Sequence, residues 1–153
     1  MLSGPFIFVD VDTQRDFLDR GGALFIPGSE SIVANLARLT RFARDHRIPI
    51  LATACAHTLD EPDPDPFPPH CLVGTSGQER IEATAWAGPG AVVVEPRSRF
   101  DGTTPPSHLT ILKQRYDAFS HPDLERITRL YAAENPTFVV YGVATDYCVK
   151  AMA

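Results

Sequence analysis

The stretch YGVATDYCVK, Tyr141–Lys150, sets a cysteine six residues after the glycine that closes an apolar run. That spacing puts Cys148 in the first turn of a helix begun by Thr145 or Asp146. Unpaired backbone N–H groups and the helix dipole favour a thiolate there. The same N–H groups could hold the oxyanion of a tetrahedral intermediate. A nucleophilic thiol also needs a base and a group that fixes their geometry. Asp12 follows an apolar run in VDVDTQRDF, and Lys113 closes another in TILKQRYDAF. Together they would set a carboxylate and an ammonium beside the thiol. The lysine would keep Asp12 ionised and balance charge as the thiol gives up its proton. Taken singly, each residue has a plainer reading: a buried structural cysteine, a solvated cap or turn aspartate, a surface lysine.

The elements that must position these groups follow from periodicity. Pro5–Val11 reads as a buried strand and Pro49–Thr53 as a second. Between them Ser29 can cap a helix with apolar positions Ile32, Leu36, Leu39 and Phe42. His57–Cys71 holds five prolines between Pro62 and Pro69, which no helix or central strand tolerates. It reads as a stiff loop of the kind that carries function. Ala91–Glu95 is a third strand, Leu109–Lys113 a short fourth and Thr137–Tyr141 the last. Pro122 suits the first turn of a helix carrying Leu124, Ile127, Leu130 and Tyr131. Strands alternating with helices indicate an α/β fold, a parallel β-sheet sandwiched by helices on both faces. Such sheets bind ligands at the carboxyl ends of their strands. The chemistry is therefore expected at Asp10–Asp16, Thr53–His57, Lys113 and Gly142–Cys148.

A chain of 153 residues suffices for one domain with a core, and 44% hydrophobic with 22% charged residues is an ordinary globular balance. The net charge of -5 and the lack of a Lys/Arg cluster argue against nucleic acid or an anionic membrane as main partner. The longest apolar runs, such as Phe6–Val9 and Ala91–Val94, cannot span a bilayer, and no secretion signal opens the chain. Three cysteines with no paired spacing point to a reducing, cytoplasmic compartment.

Four segments in order, VDVDTQRDF, PPHCLVGTSGQ, KQRYDAF and YGVATDYCV, resemble the isochorismatase-like cysteine hydrolases, with the nicotinamidase branch nearest. The resemblance implies a three-layer α/β/α fold and a catalytic triad of Asp12, Lys113 and Cys148. It implies a cis peptide between Val143 and Ala144, with the Ala144 and Cys148 N–H groups forming the oxyanion hole. Phe17 and Phe67 match family positions whose rings flank a flat substrate, and Tyr147 extends that wall. The implied reaction is hydrolysis of a small amide such as nicotinamide, through a thioester, with release of ammonia. Ureido or carbamoyl amides and isochorismate-type substrates are the alternatives within the superfamily.

The resemblance also implies a divalent metal such as zinc, from His57 and His70. Here Cys55 stands where the family carries an aspartate, and Asp63 or Asp65 is the nearest substitute for a further histidine. Thiolate and imidazole both suit zinc. Family members usually continue some tens of residues beyond the cysteine. The sequence therefore reads as a single cysteine-hydrolase domain, 1–153, lacking the usual C-terminal part, with a homo-oligomer expected. Two readings of other classes remain. FIFVDVDT fits the start of a haloacid-dehalogenase-like phosphatase, with Asp10 as nucleophile, Asp12 as acid/base and Mg²⁺ bound. An inactive binding homologue would keep the fold without the chemistry.

Overall fold

The computed structural model describes residues 5–61, 67–86 and 88–153. Five strands form one all-parallel sheet: β1 Phe6–Val11, β2 Ile50–Cys55, β3 Ala91–Val94, β4 His108–Lys113 and β5 Thr137–Gly142. Their order is β3-β4-β2-β1-β5. Between them run α1 Arg15–Leu18, α2 Val33–Asp45 and α3 Leu124–Tyr131, and α4 Lys150–Met152 follows β5. This is the three-layer α/β/α architecture expected from the alternation of apolar runs and helical patterns.

Successive side chains of a strand point to opposite faces, and both faces of this sheet are covered, so its central strands are apolar throughout. All six residues of β2 and five of six in β1 are buried. Ile7, Val9 and Val11 share one core with Leu109 and Ile111 of β4 and with Leu124, Ile127 and Tyr131 of α3. Phe8, Ile50 and Ala52 face the other way, onto Ala43 of α2 and the partly buried Leu39. Each such Leu, Ile or Phe contributes about 1.5–3 kcal/mol by leaving water.

Register decides what stands at the carboxyl rim. Val11 lies opposite Thr53 on one side and Gly142 on the other. Cys55 lies opposite Lys113. The ends of β1, β2, β4 and β5 therefore meet on one edge of the sheet. Gly142 has φ +128°, and a Cβ there would lie 2.0 Å from the Val11 carbonyl oxygen. Only glycine lets β5 hug β1 at this point and then turn into the segment bearing Cys148.

Three local expectations change. Ser29 does not cap an α-helix. Ser29–Ile32 is a 3₁₀ turn after Gly28, α2 starts at Val33, and the Ser29 hydroxyl donates to the Phe17 carbonyl at 3.2 Å. Phe42 is 48% exposed and stacks on His46 with ring centroids 4.0 Å apart. Pro122 precedes α3 rather than opening it, because Asp123 occupies the cap position. The Asp123 carboxylate accepts from Arg126 Nε at 2.8 Å and from the Phe100 N–H at 2.8 Å, pinning the 97–102 loop to α3.

Two predictions follow from these contacts. Gly142→Ala is expected to lower unfolding free energy by about 2 kcal/mol or more, read by urea denaturation; an unchanged midpoint contradicts the tight β1–β5 approach. The Arg126 hydrogen bonds hold the Asp123 carboxyl down to about 2, against burial that opposes them. A carboxyl depressed below its unfolded value of roughly 3.9 adds stability that is complete above that pH and disappears as pH falls through the folded value. The stability gap between wild type and Asp123→Asn should therefore shrink between about pH 4 and about pH 2. A gap independent of pH there contradicts the assignment.

Candidate active site

Lys113 ends β4 with a side chain that has no exposed surface. Its ammonium lies 2.7 Å from Asp12 Oδ2, 3.0 Å from the Arg115 carbonyl, 3.2 Å from Cys55 Sγ and 3.7 Å from Cys148 Sγ. Asp12 leaves β1 with φ +49° and is fully buried. Its N–H donates to the Thr53 carbonyl at 3.1 Å, and its Oδ1 accepts from the Thr53 hydroxyl at 2.6 Å. Cys148 sits in a π-turn, Thr145–Val149, that continues into α4. The Val143–Ala144 peptide is cis, and among the described residues the Ala144 N–H meets no acceptor.

The three groups singled out in the sequence thus share one buried cluster, but their charges differ from expectation. Burial raises the Asp12 carboxyl above the ordinary carboxylate range and the neighbouring Cys55 adds to this; Lys113 pulls it back only in part. Burial also raises the Cys148 thiol, and Asp12 reinforces the rise against Lys113. The helix start does not make Cys148 a standing thiolate, because low-dielectric surroundings outweigh it. Lys113 goes the other way: burial opposes its charge, and Asp12, Cys55 and Cys148 together more than restore it. The thiol driven toward thiolate is Cys55, first by the facing Cys71 thiol and then, against burial, by Lys113.

Cys55 also belongs to a second grouping. Its sulfur and one ring nitrogen each of His57 and His70 all lie within 4.8 Å of one another, and all three residues are buried. His70 Nδ1 is 2.8 Å from the Pro68 carbonyl, so Nδ1 carries the proton and the ring's lone pair lies on Nε2. One sulfur and two imidazoles form a donor set that fits zinc. Asp63 and Asp65 lie outside the described residues.

Over the cluster opens a cavity of about 270 Å³. Phe17, Phe67, Ala144, Tyr147, Cys55 and Cys148 line it, with Leu24, Phe25, Ile26, Pro27 and Tyr116. The three aromatics named from the sequence are therefore all in its wall. Asp10 is not. It is paired with Arg80 and accepts from Thr13 at 2.9 Å, buried and occupied.

The chain matches the Isochorismatase domain over residues 6–153. It belongs to the isochorismatase family. The haloacid-dehalogenase reading falls with that match and with the occupied Asp10. Nicotinamidase 1 of Arabidopsis thaliana is 32% identical over 83 residues, which is 51% of this chain and 34% of that protein. A probable inactive nicotinamidase of the same plant is 25% identical over 149 residues, 92% of this chain and 66% of that one. The chain thus spans between a third and just under two thirds of these relatives. The pyrazinamidase of Pyrococcus horikoshii in complex with zinc superposes with a TM-score of 0.69 at 27% identity, covering 97% of this chain and 75% of that one.

Sequence reasoning missed the residues that hold the site together. The Gln14 amide, fully buried, donates to the carbonyls of Cys55 at 2.9 Å and Gln78 at 2.7 Å, and accepts from the Cys55 N–H at 2.7 Å. Asp16 accepts from the Ala23 N–H at 2.9 Å and the Cys71 N–H at 2.6 Å, tying two walls of the cavity. A Cβ on Gly77 would meet that carboxylate at 2.3 Å. The available signal was the run of polar side chains at 12, 14 and 16 just past a strand end. Tyr116 stood in the KQRYDAF segment without a role assigned to it, and nothing in the sequence marked the 24–27 turn.

Asp16→Asn turns one of two charge-assisted acceptors into a donor facing an N–H. It should lower stability by about 1.5–3 kcal/mol in urea titration. A loss under about 0.5 kcal/mol would show that the two walls stand without this tie.

Proposed function

We propose that this chain hydrolyses a small, ring-bearing amide such as nicotinamide through a thioester on Cys148, releasing ammonia. The observation that carries the reading is the reach of one buried ammonium, Lys113, to both the Asp12 carboxylate and the Cys148 sulfur beneath an apolar cavity. Asp12 takes the thiol proton, a transfer helped by its raised basicity. Lys113 stays charged throughout and stabilises the carboxylate before the transfer and the thiolate as it forms. Cys148 attacks the amide carbonyl, and the Ala144 and Cys148 N–H groups receive the oxyanion. Asp12 returns the proton to the departing nitrogen, and ammonia leaves. Water then attacks the thioester, giving the carboxylic acid and restoring the thiol. Phe17, Phe67 and Tyr147 hold the ring flat against the reacting carbon.

Cys55, His57 and His70 would hold a zinc ion at the edge of the cavity. When bound, that ion supplies a Lewis acid able to grip a ring nitrogen or a water molecule. Three free thiols, Cys55, Cys71 and Cys148, suit a reducing compartment such as the cytoplasm. Assembly as a homo-oligomer belongs to the same proposal.

Ammonia release over a panel of small amides tests the reading. Cys148→Ala should lose about a thousandfold or more in kcat/KM, in line with removal of a nucleophile. Equal turnover in that variant would end the thioester mechanism. Metal binding has its own readout: Co²⁺ added to the metal-free protein should give an intense sulfur-to-metal absorption band that Cys55→Ala abolishes. A band that persists in Cys55→Ala removes Cys55 from the ligand set.

A further inference from the structure

The cavity wall is nearly devoid of charge. Among its described lining residues there is no lysine and no arginine, and the single carboxylate is Asp146. Tyr116 and Tyr147 are 40% and 44% exposed, so they stand at the mouth, and Asp146 is exposed beside Tyr147. The rings close on one another edge to face: Tyr147 to Phe67 at 5.3 Å and to Tyr116 at 6.1 Å. The cation nearest the cavity floor, Lys113, is wholly buried and already paired with Asp12. An incoming carboxylate would therefore shed water into an apolar funnel, meet no lysine or arginine among the described lining residues, and pass a like charge on entry.

We propose that Asp146 makes this an anion-rejecting site: it admits amides whose remainder is neutral or cationic, and discriminates against those bearing a carboxylate. The inference rests on the amidase reading and adds its substrate class. It also gives the reaction a direction. Hydrolysis turns a neutral amide into a carboxylate, so the product acquires the charge that the mouth repels, and its release is favoured.

Benzamide and its 4-carboxylate analogue form the test pair, with benzoate as product mimic. Two unit charges in a wet mouth interact by about 1 kcal/mol, or several-fold. Asp146→Asn should raise the anionic-to-neutral ratio of kcat/KM by about three- to tenfold, and Asp146→Lys by more. On the unmodified protein, raising salt from about 0.01 M to about 1 M should narrow the same ratio, because exposed charges are screened. Calorimetry should show benzoate binding more tightly to Asp146→Asn than to wild type, a readout independent of turnover. A ratio and a benzoate affinity indifferent to Asp146 and to salt overturn the proposal while leaving the amidase reading intact. Failure of the wild-type protein to release ammonia from any amide of the panel sinks the amidase reading instead; the benzoate measurement then still decides whether the cavity rejects anions.

Discussion

The structure around the rim depends on one buried ammonium. Lys113 has no exposed surface, and an isolated ammonium in such surroundings would be neutralised rather than kept charged. It stays charged because the carboxylate of Asp12, two sulfur atoms and a backbone carbonyl converge on it from the ends of β1, β2, β4 and β5. The groups that compensate the lysine are the groups that could do chemistry. Stability and reactivity here are aspects of one charge balance, and any account of the thiols must begin from the lysine.

That convergence is a product of sheet register. A shift of β4 against β2 by one residue would turn Lys113 to the opposite face and leave Asp12 without its counter-ion. The register is held by apolar burial far from the rim, where Leu51, Leu109 and Ile111 are wholly enclosed. It is held at the rim by Gln14, whose amide clasps both backbone groups of Cys55. The core that sets this register includes Cys148 itself, so it reaches the polar cluster that it positions.

Much of this was legible in the sequence because the fold and the reacting groups obey local rules. The strands announced themselves as short apolar runs, and the parallel sheet then fixed where Asp12, Lys113 and Cys148 had to lie. Two things were not legible. Charge states were misjudged, since the helix start argued for a thiolate at Cys148 while the burial that overrides it is a tertiary property. The supporting residues were also missed, because Gln14 and Asp16 look like ordinary loop polars until the segments they bridge are folded beside them. Ser29 shows the same lesson on a smaller scale: a good cap residue was drawn into a hydrogen bond with Phe17 across the turn.

The two ties made by Asp16 have a consequence for motion. One carboxylate anchors both the 22–26 turn and the backbone of Cys71, so these walls cannot part independently. Among the described residues another side carries the edge-to-face rings of Tyr116, Tyr147 and Phe67. Rotation of such rings, which exposed side chains make in picoseconds to nanoseconds, is a fast way to widen that side. The Asp16 ties brace one part of the chamber while aromatic rings line another.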